Sequence, residues 1–128
     1  MPQIENVIKT CLLGGGVRAT VSDQSCHYFG GYYHVRIRVC ADVPVSEGAF
    51  FSAAEYQDAV KSLGASVRFS RTLEKMAVPE SELEDVRRHL LMSFDAHELP
   101  YLARSDFPDR FVQSEYRKAL KSRAAFHR

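Results

Sequence analysis

Arginines at alternate positions of a strand-like run are the residues of this chain best arranged for chemistry. Residues 33–45 read Tyr-His-Val-Arg-Ile-Arg-Val-Cys-Ala-Asp-Val-Pro-Val. Successive strand side chains point to opposite faces, so Val35, Ile37, Val39, Ala41, Val43 and Val45 fall on one side. His34, Arg36, Arg38, Cys40 and Asp42 fall on the other. Arg18 and Arg68 extend this polar side on neighbouring strands, Tyr28 and Tyr32 lie near a hairpin end, and with Phe29 and Tyr33 they concentrate aromatics beside its glycine turn. Guanidinium groups attract phosphates and carboxylates, and tyrosine rings stack on bases or on a partner's side chains. The same set therefore fits two contacts: a protein interface, including one with a second copy, or single-stranded nucleic acid. It equally fits a solvated strand face with no partner, where arginine, threonine and tyrosine resist edge-to-edge aggregation.

Other reactive side chains are less well disposed. Cys26-His27 places a thiol beside an imidazole, but strand neighbours face opposite ways, so the thiol is expected to meet His34 or Arg36 across a hairpin instead. Asp95 and Glu98 are expected to share one helix face. His89 and His97 are about two turns apart, too far to chelate one ion alone. The chain has no His-x-x-x-His, no Cys-x-x-Cys and no serine elbow. Gly14-Gly15-Gly16 lacks the lysine and the helix of a phosphate loop. The sequence thus points to no catalytic residue, metal or cofactor, and favours binding over catalysis. Gly31-Tyr32-Tyr33-His34-Val35-Arg36 does not reproduce the aromatic motif of sheet-platform RNA binders.

Positioning these residues requires a sheet. Asn6 to Leu13 predicts a first strand, ended by the three glycines. Val17, Ala19 and Val21 alternate with polar residues in a second, joined to the third near Phe29-Gly30-Gly31-Tyr32. A two-residue Gly30-Gly31 turn would pair Val21 with Cys40, on the wrong face. A three-residue Gly30-Gly31-Tyr32 loop would instead set Val17, Ala19 and Val21 against Val45, Val43 and Ala41. That register turns Asp23 and Ser25 inward, which predicts a bulge or break at 22–25.

Ser52 and Glu55 then form a capping box, with Phe51 and Tyr56 at the positions of a hydrophobic staple. Tyr56, Val60 and Leu63 make an apolar stripe, and Gly64 is expected to close the helix. Ala65 to Met76 reads as a strand with Val67 and Phe69 on the apolar side. Ser81 and Glu84 offer a second capping box for a helix carrying Leu83, Val86, Leu90 and Phe94, expected to stop by Glu98, before Pro100. A last helix begins near Pro108 and buries Phe111, Val112, Tyr116, Ala119 and Leu120. The order β-β-β-α-β-α-α predicts a two-layer α+β domain: an antiparallel three-stranded meander, a fourth strand after a crossover helix, and three helices on one sheet face.

Size and charge are consistent with one domain spanning 1–128, large enough to bury roughly two thirds of its unfolded surface without disulfides. The net charge of +1 argues against a strongly basic nucleic-acid binder. Charge is nonetheless uneven. Residues 46–101 hold ten acids and six bases, whereas 102–128 hold seven bases and three acids. Basic residues at a helix C-terminus complement its dipole, which explains the second group without a partner. The polar N-terminus, the lack of a long apolar run and three cysteines in no metal-like spacing predict a cytoplasmic protein with reduced thiols and no membrane span.

His27-Tyr28-Phe29-Gly30-Gly31-Tyr32-Tyr33-His34-Val35-Arg36 and Arg71-Thr72-Leu73-Glu74-Lys75-Met76-Ala77-Val78-Pro79 resemble stretches of an uncharacterised family of small bacterial proteins. The resemblance implies a bacterial, cytoplasmic origin and carries no activity. The expectation is therefore a non-catalytic interaction or self-association module, with a homodimer or another protein as partner. The contact residues would be Arg18, His34, Arg36, Arg38, Arg68, Tyr28 and Tyr32. Single-stranded nucleic acid is the alternative ligand, and a small enzyme with a site assembled from separated residues is the second alternative.

Overall fold

A computed structural model describes residues 6–126, with an α+β architecture of one antiparallel sheet and a helical layer. The strands are β1 (Asn6–Leu12), β2 (Arg18–Asp23), β3 (Cys26–Phe29), β4 (Tyr32–Pro44) and β5 (Ser66–Pro79). β4 is the central strand. One of its edges pairs with β2 and β3, which are two halves of one interrupted strand, and the other edge pairs with β5. β1 completes the sheet beside β2. All pairings are antiparallel, so the helix between β4 and β5 spans an antiparallel connection and no handed parallel crossover arises.

The alternating pattern of β4 is realised as read. Val35, Ile37, Val39, Ala41, Val43 and Val45 are buried, and Ala19 and Val21 of β2 join them. The register, however, differs from the expected one. Ala19 faces Ala41 and Val21 faces Val39, in place of the expected partners Val43 and Ala41. The turn is the two-residue Gly30-Gly31, because Phe29 pairs directly with Tyr32. A bulge between His27 and Phe29 then moves the ladder by one residue. A bulge thus keeps the apolar faces matched, in place of a longer loop.

The break expected at 22–25 is present and stitched by side chains. The Ser25 amide donates to Asp23 Oδ1 at 2.9 Å, and the Arg36 amide donates to Ser25 Oγ at 3.0 Å. Asp23 turns toward the helices, 10% exposed, and meets Arg87 at 2.8 Å. An inward carboxylate is costly unless paired, and Arg87 supplies the pair.

The helices are α1 (Ala53–Leu63), α2 (Leu83–Ser93), α3 (Leu99–Leu102) and α4 (Phe107–Phe126). Ser52 caps α1 by accepting the Glu55 amide at 3.1 Å, and Gly64 closes it at φ 87°. The staple is displaced by one residue: Phe50 packs on Tyr56 and Tyr116, and Phe51 is fully exposed. Ser81 does not cap α2, which instead grows out of a 3-10 turn at Glu80–Glu82. Nor does that helix stop before Pro100. A π-helical turn at Phe94–Glu98 leads into α3 with Pro100 in its first turn, where proline's missing N–H is not needed.

On α4, Val112 and Tyr116 are buried as expected, but Leu120 is exposed, beyond the reach of the sheet. Tyr116 donates to Asp58 Oδ2 at 2.5 Å, and Arg123 reaches both oxygens of Asp58 at 2.8 and 3.3 Å, joining α1 to α4. Arg128 of the basic C-terminal group lies outside the described residues.

The three-glycine turn is packed tightly. A Cβ on Gly14 would stand 1.5 Å from the Arg104 carbonyl oxygen, so the β1–β2 turn fits under the segment leading to α4 only without a side chain. Phe94, Leu102, Phe107 and Val112 fill the space between the helices and the inner sheet face. Among the described residues no helix covers the other sheet face.

Candidate functional site: the uncovered sheet face

The uncovered face is a set of cross-strand rows. At one end Asp42 opposes Arg68 at 3.4 Å, and Arg18 lines the same shallow hollow of about 180 Å³. Next comes Thr20, Cys40 and Ser70, then Ser22, Arg38 and Thr72. Arg36 and Glu74 follow, 3.9 Å apart, and Glu74 also holds His34 at 2.9 Å. Each row is dictated by the alternation of β4 and by antiparallel pairing, since opposed residues point to the same side.

The far end, at the β3–β4 turn, is apolar. Phe29 and Tyr32 form a cross-strand pair, 76% and 48% exposed. Tyr28 stands at the bulge, 57% exposed, and Met76 at the facing bulge of β5, 48% exposed. His27 bonds the Gly30 carbonyl and stacks edge-on against Tyr33, which secures the turn. On the opposite strand, Ala77 takes a left-handed φ of 54°, rare for a residue with a Cβ.

Of the expected residues, His34, Arg36, Arg38, Arg68 and Tyr32 lie on this face in register, with Arg18 at its rim and Tyr28 at its tip. Two of the arginines are already matched: Arg36 by Glu74 and Arg68 by Asp42. Arg38 donates to Ser70 Oγ at 3.2 Å, and no acid among the described residues pairs with it or with Arg18. Phe29 of the expected hairpin aromatics joins them, and Met76 and Glu74 are additions to the expected contact residues. Glu74 is detectable in the sequence, because it continues the alternation Arg68, Ser70, Thr72 along β5. Met76 is not, because its exposure depends on a bulge in β5 that no residue pattern announces.

The reactive residues do not assemble. Cys26 opposes His34 as expected, but the imidazole is held by Glu74. Partial burial pushes the Cys11 thiol above its ordinary range, with Lys9 lowering and Asp95 raising it further, which disfavours the thiolate. Asp95 and Glu98 pair with different strands. The π turn sends Asp95 to Lys9 of β1 at 3.2 Å and Glu98 to Arg71 of β5 at 2.5 Å. His89 donates from Nδ1 to the Asp85 carbonyl at 2.8 Å. Among the described residues no three His, Cys, Asp or Glu side chains are placed to hold a metal ion. Among the same residues, no helix is long and apolar enough to cross a membrane.

Comparison with family models, with curated proteins and with solved structures gives no match to this chain.

Proposed function

We propose that this protein is a non-catalytic interaction module whose uncovered sheet face docks a second copy of the chain. The carrying observation is the cluster of Tyr28, Phe29, Tyr32 and Met76, four large side chains about half exposed or more, at one end of that face. Contiguous apolar surface of this kind is characteristic of protein contact, where tyrosine and arginine are enriched. The face carries both signs of charge. Four arginines (18, 36, 38 and 68) accompany two acids (42 and 74), so a two-fold-related face offers its arginines carboxylates to meet.

Light scattering after size exclusion tests this reading. The wild-type chain is expected to associate, and Phe29→Ser with Tyr32→Ser to lose one level of association while keeping its circular dichroism. Unchanged association in that variant would overturn it.

A second reading rests on Arg18 and Arg38, the two arginines of this face without an acid partner among the described residues, on a sheet face whose far end carries exposed tyrosines. These are the elements of a single-strand binding surface. Fluorescence anisotropy with an oligonucleotide at two salt concentrations tests it, because phosphate contacts weaken steeply as salt rises.

A further inference from the structure

We infer that a second copy also joins this chain edge to edge, β5 against β5, about a two-fold axis through Arg71. The two ends of the sheet are built differently. β1 is seven residues long and interrupted by a bulge between Val7 and Lys9, a device that discourages pairing. β5 is fourteen residues long, pairs with β4 on one side, and has no bulge or proline from Ser66 to Lys75. Among the described residues no strand lies on its other side. A long regular edge leaves a row of backbone donors and acceptors open to another strand.

The side chains select the occupant and the register. A two-fold axis perpendicular to the sheet keeps the uncovered faces on one side, so paired residues must have the same parity. With Arg71 on the axis, Arg68 of each copy opposes Glu74 of the other, Ser70 opposes Thr72, and Phe69 opposes Leu73. Moving the axis by one residue in either direction sets Arg68 against Thr72 or Met76 and loses both charge pairs. Opposite charges directly across an antiparallel pair are favourable. The two Arg71 side chains that meet on the axis each carry their own Glu98. On the inner side, Phe69 and Leu73 are only partly buried within one copy, and the pairing covers them further. The result is one continuous sheet of two copies, with both uncovered faces side by side.

This inference goes beyond the proposed function: the edge shares Arg68, Glu74 and Met76 with the uncovered face but not Phe29 or Tyr32, so Phe29→Ser with Tyr32→Ser removes the face contact alone. Either interface alone gives a dimer; both together give a tetramer where the two axes intersect and a longer assembly where they do not. The decisive experiment is a charge exchange read by light scattering in the Phe29→Ser, Tyr32→Ser background, where the face contact is already removed. Glu74→Arg and Arg68→Glu are each expected to weaken the edge dimer about tenfold or more, and the double variant to restore it. Within one chain the double variant puts a second cation beside Arg36 and a second carboxylate beside Asp42, so rescue can come only from another copy. Failure of the double variant to associate better than the singles would overturn the inference.

A cross-link supplies a readout independent of those ion pairs. Opposed residues of an antiparallel pair have Cα atoms about 4.5–5.5 Å apart, within disulfide range. Arg71→Cys is expected to form a covalent dimer with diamide. Ser66→Cys is not, because its copies would lie about 33 Å apart. A monomeric Arg71→Cys, or equal cross-linking of Ser66→Cys, would also overturn it.

Discussion

Neighbouring residues of β4 belong to two different environments. Val35, Ile37 and Val39 are wholly buried against the helical layer, while Arg36 between them is exposed and matched to an acid on the next strand. The covered face is held by packing in which every methyl group has neighbours, and its tolerance for change is small. The uncovered face is held by exposed ion pairs and hydroxyl contacts, which contribute little to stability individually. One face therefore fixes the fold, and the other can vary in chemistry without endangering it.

The strongest way to break that contrast is to exchange the roles of adjacent residues. Val39→Asp buries an unpaired carboxylate and is expected to cost more than about 4 kcal/mol, abolishing the urea unfolding transition. Arg38→Ser, one residue away on the opposite side, is expected to stay within about 1 kcal/mol in the same titration. Comparable losses at both positions would end the distinction.

Gly14→Ala probes how the covered side is closed. Its Cβ would overlap the Arg104 carbonyl, and the expected loss is about 3 kcal/mol by denaturant midpoint. Gly16, at φ 76° with open space around its position, is the control: its alanine variant carries only the conformational strain, about 1 kcal/mol.

Within the helical layer the junction of Asp58, Tyr116 and Arg123 gives a pH signature. Hydrogen bonds from Arg123 and then Tyr116 hold the Asp58 carboxyl below its ordinary range. A folded-state value below the unfolded one stabilises above the unfolded pKa, about 4, and that contribution disappears as pH falls through the lowered value. The melting-temperature difference between wild type and Asp58→Asn should therefore be steady from about pH 5 to 8 and shrink below about pH 4. Bonding to Asp58 pushes the Tyr116 phenol up, so its contribution holds below its unfolded pKa, about 10, and is lost as pH rises through the raised value.

The smallest effect lies at the tip of the uncovered face. Ala77→Gly removes the penalty of a Cβ at φ 54° and is expected to raise stability by about 0.5–1 kcal/mol. Calorimetry would detect it as a rise of a few degrees.

Legibility in the sequence followed how local each signal was. The period-two pattern of β4, the Ser52 cap and the Gly64 stop depend on residues within one turn or one strand, and each appears as read. The register of β2, the direction of β5 and the continuation through Pro100 depend on a bulge, a strand pairing and a π turn. None of these leaves a fixed residue pattern. Arg36, Arg38 and Arg68 were legible because a strand's polar side is written in its alternation. Which acid each arginine meets, and the place of Met76 beside the hairpin aromatics, follow from which strands adjoin, so they required the sheet itself.

Oxidative footprinting of the wild-type chain at dilute and concentrated conditions tests most directly whether the uncovered face is the docking surface. Association through that face predicts that Phe29 and Tyr32 become protected as concentration rises. Phe51 and Met92, which are also exposed but lie in the helical layer, should react unchanged. Protection at Phe51 or Met92 with the hairpin tip still reactive would contradict it.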